Sequence, residues 1–369
     1  MAPKYRVGII GRTGKGDYGH GVDVAFTKIP AAEIVAVADE DPAGRAAAQQ
    51  RCGAPRAYAD YQEMLSREEL DVVAICPRWV DRHHALLVAA AEAGCHVYME
   101  KPFCRTLQEC DDVVHQFDMR HLKLAIAHIS QYSPVVDAVV GILQAGEIGE
   151  LLELRGRGKE DLRGGGEDMW VLGSHLFALM RTVAGGSPTS CSATVLQEGR
   201  PLQARDVSPG PEGLGLLAGD SIQARYAFAG GLFGHFASRR NAAGSPTRFA
   251  LQIFGSRGVV EIPSGFLAPA SILRDPAWSP ARTGKAWEPI TSAGIGLPEP
   301  RTDAGYEGGH VAAITDLLES IERQRAPRCG AEEGRAIVEM IAATYESQRL
   351  GRTVELPLAT RVNPLSLFS

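Results

Sequence analysis

The chain lacks any long apolar run: none of its 369 residues fall in a stretch able to cross a bilayer. Its start, Met1-Ala2-Pro3-Lys4-Tyr5-Arg6, leads straight into a short strand, without the apolar core of a secretory leader. The expectation is a soluble cytoplasmic protein. No basic stripe interrupts a chain of net charge −6, which argues against nucleic acid and anionic membrane as partners. Cysteine is sparse, seven residues scattered and odd in number, with no CxxC pair and no Cys/His cluster at zinc spacing. That excludes a disulfide framework, and no metal is expected. There is no internal repeat. What remains is ordinary globular composition, 45% hydrophobic and 22% charged, long enough for two domains.

The first third alternates strand and helix. Apolar runs at Arg6–Ile10, Glu33–Ala38, Leu70–Cys76 and Cys95–Met99 are separated by helical stretches at Val22–Ile29, Pro42–Arg51, Tyr61–Leu65 and His84–Ala93. Continuous apolar strands alternating with helices imply a parallel sheet covered on both faces. Beyond about residue 125 the period changes to two. Ile222–Phe228 and Leu232–Ser238, around Gly230-Gly231, read as a hairpin, as do Phe249–Gly255 and Gly258–Ile262. Val311–Ile321 and Gly334–Gln348 read as long amphipathic helices, and Pro263–Pro300 as long surface loop. The expected organisation is a domain over 1–125 and an α+β domain with an open, mostly antiparallel sheet over 126–369, the last helix packing back on the first domain.

Two features of the first domain carry chemistry. The turn after the first strand reads Gly11-Arg12-Thr13-Gly14-Lys15-Gly16-Asp17-Tyr18-Gly19. Counted from the strand, Gly11 is the first glycine of a dinucleotide loop and Thr13 takes the second position. Counted by GxGxxG spacing, Gly14, Gly16 and Gly19 fit, so the loop is about three residues longer than usual. Glycines there let the chain turn sharply and let a pyrophosphate approach bare backbone. Asp39 closes the second strand, where a carboxylate accepts from a ribose hydroxyl and repels a 2′-phosphate, favouring NAD over NADP. Arg12, Lys15 and Arg45 keep NADP possible. The second feature is Glu100-Lys101-Pro102, an amine at the end of the buried run His96–Met99.

Taken together, the glycine turn, Asp39, Tyr58–Leu65, Ala93-Gly94-Cys95-His96-Val97-Tyr98-Met99-Glu100-Lys101-Pro102, Gly146–Gly149, Gly173-Ser174-His175 and Gly351–Pro357 resemble the Gfo/Idh/MocA oxidoreductases. The resemblance covers nearly the whole chain. It implies α/β architecture: an N-terminal Rossmann doubly wound parallel sheet, then a C-terminal α+β domain whose open sheet builds a homodimer or homotetramer. It also implies oxidation of a ring hydroxyl of a sugar or cyclitol, or reduction of the ketone, with a bound nicotinamide. Lys101 matches the lysine that binds the reacting oxygen and His175 the acid/base histidine. Glu100 and Lys101 also fall beside the cofactor. His128 and Gln131 fall where the family places polar substrate contacts, and Lys159 and Arg163 are weaker candidates for the cleft.

The chain departs from the family in two places. Val171 and Ala178 stand where aspartates often flank the histidine, so Asp168, next to the glycine run Gly164–Gly166 read as mobile, becomes a stand-in substrate contact. Glu160, Asp161 and Glu167 flank the same run. The loop Pro77-Arg78-Trp79-Val80-Asp81-Arg82-His83 is about two residues longer, with Arg78 in place of an asparagine. There Pro77, Arg78 and Trp79 face cofactor or substrate, Trp79 by stacking and Arg78 or Arg82 through a phosphate or carboxylate. The function expected first is an NAD-preferring dehydrogenase of a carbohydrate or polyol. The alternatives are glycoside cleavage or epimerisation through transient oxidation by a retained NAD, and a non-catalytic ligand-sensing or partner-binding protein.

Overall fold

The computed structural model describes residues 5–368, so the reading of Met1–Lys4 lies outside the described residues. The chain divides into two compact units. One takes in the chain up to Ile129 with Pro211–Gly215 and Tyr306–Arg335; the other takes in Ser130–Gly210, Leu216–Gly305 and the remainder from Ala336. Among the described residues no helix is long and apolar enough to cross a membrane.

The first unit is built on a six-stranded parallel sheet. In chain order its elements are β1 Tyr5–Ile10, α1 Val22–Ala25, β2 Ala32–Ala38, α2 Pro42–Cys52, β3 Arg56–Tyr58, α3 Tyr61–Arg67, β4 Val72–Ile75, α4 His83–Glu92, β5 His96–Met99, α5 Leu107–Met119 and β6 Leu124–Ile126. The strand order is 3-2-1-4-5-6, every neighbouring pair parallel. The strands are apolar throughout because both faces are covered; all four residues of β4 are buried. Asp41 and Thr106 cap α2 and α5 by accepting from backbone N–H groups three residues on, and Pro42 follows its cap at the first helical position. The helix expected over Val22–Ile29 is cut short: α1 has four residues and continues as a 3-10 turn, Phe26–Lys28. The helix Tyr306–Glu322 belongs to this unit, and its His310 pairs with the Tyr98 hydroxyl at 2.7 Å in the core.

The second unit carries a mixed sheet. From one edge its strands run Gly294–Ile295, Glu288–Thr291, Ala270–Leu273, Gly258–Pro263, Ala250–Gly255, Leu151–Arg157, Phe233–Arg239, Ser221–Ala227, Ser190–Gln197 and Val354–Glu355. All neighbours are antiparallel except Leu151–Arg157 with Phe233–Arg239. Both expected hairpins form, Arg225 facing His235 and Gly255 facing Gly258. The stretch from Pro263 to Pro300 is not one loop. It supplies three short strands and the helix Pro280–Thr283, which extend the sheet. Strands of two to four residues show too little alternation to stand out among prolines and glycines.

Candidate functional site

The carboxyl ends of β1 and β4 diverge at the point where strand order reverses, the position at which open α/β sheets bind ligands. The glycine turn leaves β1 there and folds into a small loop of its own. Arg12 and Asp17 pair across it as an isolated bridge, and the Gly14 N–H donates to Asp17 at 2.8 Å. Four of its glycines, Gly14, Gly16, Gly19 and Gly21, take positive φ. Two of these are irreplaceable on contact grounds as well. A Cβ on Gly16 would lie 2.4 Å from the Arg78 nitrogen, and one on Gly19 would lie 2.5 Å from Glu100 Cγ. Gly14 meets nothing within 4 Å, and the Tyr18 ring lies over Gly11.

The second lengthened loop closes on the first. Arg12 donates twice to Asp81, at 2.8 and 2.9 Å. The Lys15 ammonium sits 3.9 Å from the centre of the Trp79 ring, and Gly16 packs on the Arg78 and Trp79 backbone. Trp79, expected to stack on a ligand, therefore gives one face to Lys15. The His83 ring ties this loop to the next: Nε2 lies 2.8 Å from the Pro77 carbonyl and Nδ1 2.7 Å from the Pro102 carbonyl.

Asp39 stands at the end of β2, buried, and accepts from Thr13 Oγ1 at 2.7 Å, from the Thr13 N–H at 3.1 Å and from the Asp41 N–H at 3.0 Å. Thr13 thus uses its hydroxyl to brace the acid. A narrow cleft opens here, walled by the apolar Ile10, Ala38, Pro77 and Leu86, by Gly11 and Asp39, and by the charged Arg12, Glu40 and Arg82. A carboxylate, apolar walls and a turn with bare backbone at Gly14 fit one end of a dinucleotide, and Gly11, Thr13, Asp39 and Pro77 are the residues that would hold it.

Beyond β5, Glu100 and Lys101 are both buried, at 1% and 7% exposure, and the Lys101–Pro102 bond is cis. The Glu100 carboxylate accepts from His20 Nδ1 at 2.6 Å, from the His20 N–H at 3.1 Å and from the Lys101 N–H at 2.9 Å. Burial alone would raise its carboxyl. The His20 hydrogen bond and the charges of His20, Lys101 and His310 outweigh burial and bring it down to about 2. His20 in turn stacks on Tyr306, ring centres 4.6 Å apart. Its place in the glycine turn is the only signal the sequence offered, and sequence reasoning passed over it, as it did His83 at the start of α4. His128, past β6, is fully buried. Burial first, and the Lys101 charge second, push its pKa down to about 3, so it is neutral at physiological pH.

The remaining candidates lie in the second unit. Asp168 is wholly buried and accepts from the Lys159 N–H at 3.3 Å, the Glu160 N–H at 3.1 Å and the Ser238 hydroxyl. Burial raises its pKa against those hydrogen bonds. Glu160, at positive φ, pairs with Arg157 at 2.9 Å and Arg248 at 2.8 Å. Together they fix the turn before the helix. The run Gly164–Gly166, expected to be mobile, is instead packed backbone to backbone: Cβ atoms there would lie 2.3–2.4 Å from main-chain atoms of Arg239, Gly219 and Ala218. Met169–Gly173 forms one π-helical turn, a widening that recurs at functional sites. His175 follows in the first turn of the helix Ser174–Ala184 and is partly exposed. The buried Gln131 amide donates to the Ala178 carbonyl and to Thr182 Oγ1, each at 3.3 Å. Among the described residues no cluster of His, Cys, Asp and Glu can hold a metal ion.

A doubly wound parallel sheet, a glycine turn at its switch point and an acid ending β2 define a nicotinamide-dinucleotide-binding domain of the oxidoreductase type. Residues 5–128 match the oxidoreductase family's NAD-binding Rossmann fold and residues 156–356 its C-terminal alpha/beta domain; the chain belongs to the Gfo/Idh/MocA oxidoreductase family. It is 25% identical to levoglucosan dehydrogenase of Pseudarthrobacter phenanthrenivorans over 262 residues, 63% of this chain and 65% of that protein. It is 31% identical to glycosyl hydrolase family 109 protein 4 of Phocaeicola vulgatus over 163 residues, 42% of this chain and 31% of that one. The match to D-apiose dehydrogenase of Paraburkholderia graminis is 35% over 125 residues, 34% and 33% of the two chains. The matched region thus spans between about a third and two thirds of these relatives' length. The fold of levoglucosan dehydrogenase, solved with NADH and levoglucosan, superposes with a TM-score of 0.78 at 21% identity, covering 96% of this chain and 100% of that one. An oxidoreductase from Agrobacterium radiobacter, solved with NAD+, L-tartaric acid and magnesium, gives 0.72 at 17% identity, covering 95% and 98%.

Proposed function

We propose that this chain is an NAD-preferring oxidoreductase that oxidises a ring hydroxyl of a sugar, cyclitol or sugar derivative, or reduces the corresponding ketone. Lys101 carries the reading: an amine nearly withdrawn from water, set by its own backbone on a Glu100 carboxylate that His20 fixes. Such an ammonium stabilises an alkoxide or polarises a carbonyl at low dielectric. Neutral His128, which feels the Lys101 charge, is a hydrogen-bonding partner for a substrate hydroxyl. His175 is the proton carrier in this scheme, and NAD when bound supplies the hydride acceptor. Asp39, held by Thr13, supports NAD over NADP. Asp168 is read as a brace of the turn before His175, since its oxygens are taken by Lys159, Glu160 and Ser238.

A second reading keeps NAD bound and uses transient oxidation for glycoside cleavage or epimerisation. The likeness to glycosyl hydrolase family 109 proteins supports it, as do the two lengthened loops latched through Arg12 and Asp81. The test is nicotinamide absorbance on purified protein given NAD or NADP and a panel of sugars, cyclitols and sugar acids. Reduction with one class supports the dehydrogenase. No reduction, with NAD released on denaturation, favours the second reading. No reduction and no released cofactor favours the ligand-sensing or partner-binding reading. Light scattering during size exclusion tests the expected homodimer or homotetramer.

A further inference from the structure

The two lengthened loops bring several cations to the ends of β1 and β4, and all but one have a partner. Arg12 is bound by Asp81, Arg82 by Glu40, and Lys15 by the Trp79 ring. Arg45 donates to the Asp39 carbonyl. Arg78 has no acceptor among the described residues, and its Nε is buried without a hydrogen bond. A guanidinium N–H withdrawn from water and unmatched is costly unless something else meets it.

The backbone around Arg78 is fixed. Gly16, at φ +86°, lies against its nitrogen so closely that no side chain fits between. Pro77 precedes it, and the Pro77 carbonyl is held by His83. The residue stands three positions past the end of β4, on the margin of the reversal in strand order where a ligand enters. The helix that would otherwise face an anion there, α1, has only four residues and so little dipole to offer. A fixed, unpaired, planar donor beside so short a helix is suited to a paired-oxygen anion.

We infer that the Arg78 guanidinium binds an oxyanion, a phosphate or carboxylate oxygen pair, brought to the loop after β4, beside the cleft whose wall its neighbour Pro77 forms. This rests on the reading of that cleft as a dinucleotide site. The oxyanion comes either from the cofactor's pyrophosphate or from an acid group on the substrate, and one experiment separates them. NADH binding to the full-length protein is followed by fluorescence at 50 and 200 mM salt, for wild type, Arg78→Gln, Arg78→Lys and the surface control Arg67→Gln. D-gluconate and the neutral D-glucitol are then titrated calorimetrically into NAD-loaded protein.

If the source is the cofactor, Arg78→Gln weakens NADH binding at least tenfold and flattens its salt dependence, with Arg78→Lys in between. If the source is the substrate, NADH binding is unchanged, wild type binds gluconate but not glucitol, and Arg78→Gln loses gluconate. Either outcome supports the assignment. Unchanged NADH binding in both variants, with no gluconate binding that depends on Arg78, overturns it while leaving the dinucleotide reading intact. A wild type that binds neither NADH nor NADPH overturns both. Arg78→Lys keeps the test decisive if Arg78→Gln does not fold.

Discussion

Replacing His128 by glutamine should remove a defined share of the protein's acid sensitivity. The imidazole titrates near 6.5 when exposed and at about 3 in the fold. Between those values the unfolded chain binds a proton that the folded chain refuses, so stability falls as pH falls. Two-state linkage with those two values gives a loss of about 2 kcal/mol by pH 5 and about 4 kcal/mol by pH 3. Glu100 acts in the same direction, but only as pH falls from its ordinary 4.5 towards about 2. His96, His235 and His310, also lowered by burial, are common to both proteins, so the difference between wild type and variant from pH 7 to 5 isolates His128. Urea unfolding at pH 7 and pH 5, followed by circular dichroism, should show wild type losing about 2 kcal/mol more than His128→Gln. Lys101→Met, which removes the second cause, should raise the His128 pKa without restoring 6.5, because burial is the larger cause. Equal pH slopes in wild type and His128→Gln, or a ring resonance titrating near 6.5, would refute the claim that this histidine is buried neutral beside Lys101.

Three further outcomes are expected. Gly16→Ala must carry a side chain at positive φ against the Arg78 backbone and should cost at least about 2 kcal/mol, against about 1 kcal/mol for Gly14→Ala, which pays for backbone conformation alone; paired thermal melts compare them. Thr13→Val removes the hydroxyl donor to Asp39 and should cost about 1.5 kcal/mol with weaker NADH binding; unchanged stability and binding would dismiss the brace. Ser238→Ala leaves the buried Asp168 carboxylate one donor short and should lower stability by about 1–3 kcal/mol, with Ser238→Thr retaining most of it.

The dinucleotide-binding half was legible because its signals are local. Apolar strands, Pro42 after its cap and Gly94 after α4 each act within a few residues, and the expected strands and helices other than α1 fall within two residues of their bounds, while β3, α5 and β6 were not anticipated. What was not legible depends on distant neighbours. Gly164–Gly166 looks like a hinge in sequence and is a packing site, because the chain it meets lies some 50 to 75 residues on at Ala218–Asp220 and Arg239. Asp168 reads in sequence as a stand-in substrate contact, yet it is buried and its partner Ser238 is 70 residues away. The two lengthened loops were both visible as departures from the family. That they close on each other through Arg12 and Asp81, leaving Arg78 as the unmatched cation, follows only from the folded sheet that brings β1 beside β4.

The central claim is that Lys101 acts on a substrate oxygen beside a bound nicotinamide. Its most direct test pairs NADH binding with turnover in Lys101→Met, using the sugar, cyclitol or sugar acid that wild type oxidises. The account predicts NADH affinity within about threefold of wild type and turnover reduced at least a thousandfold, the scale of a lost transition-state charge partner. Turnover near the wild-type rate with NADH bound normally would contradict it.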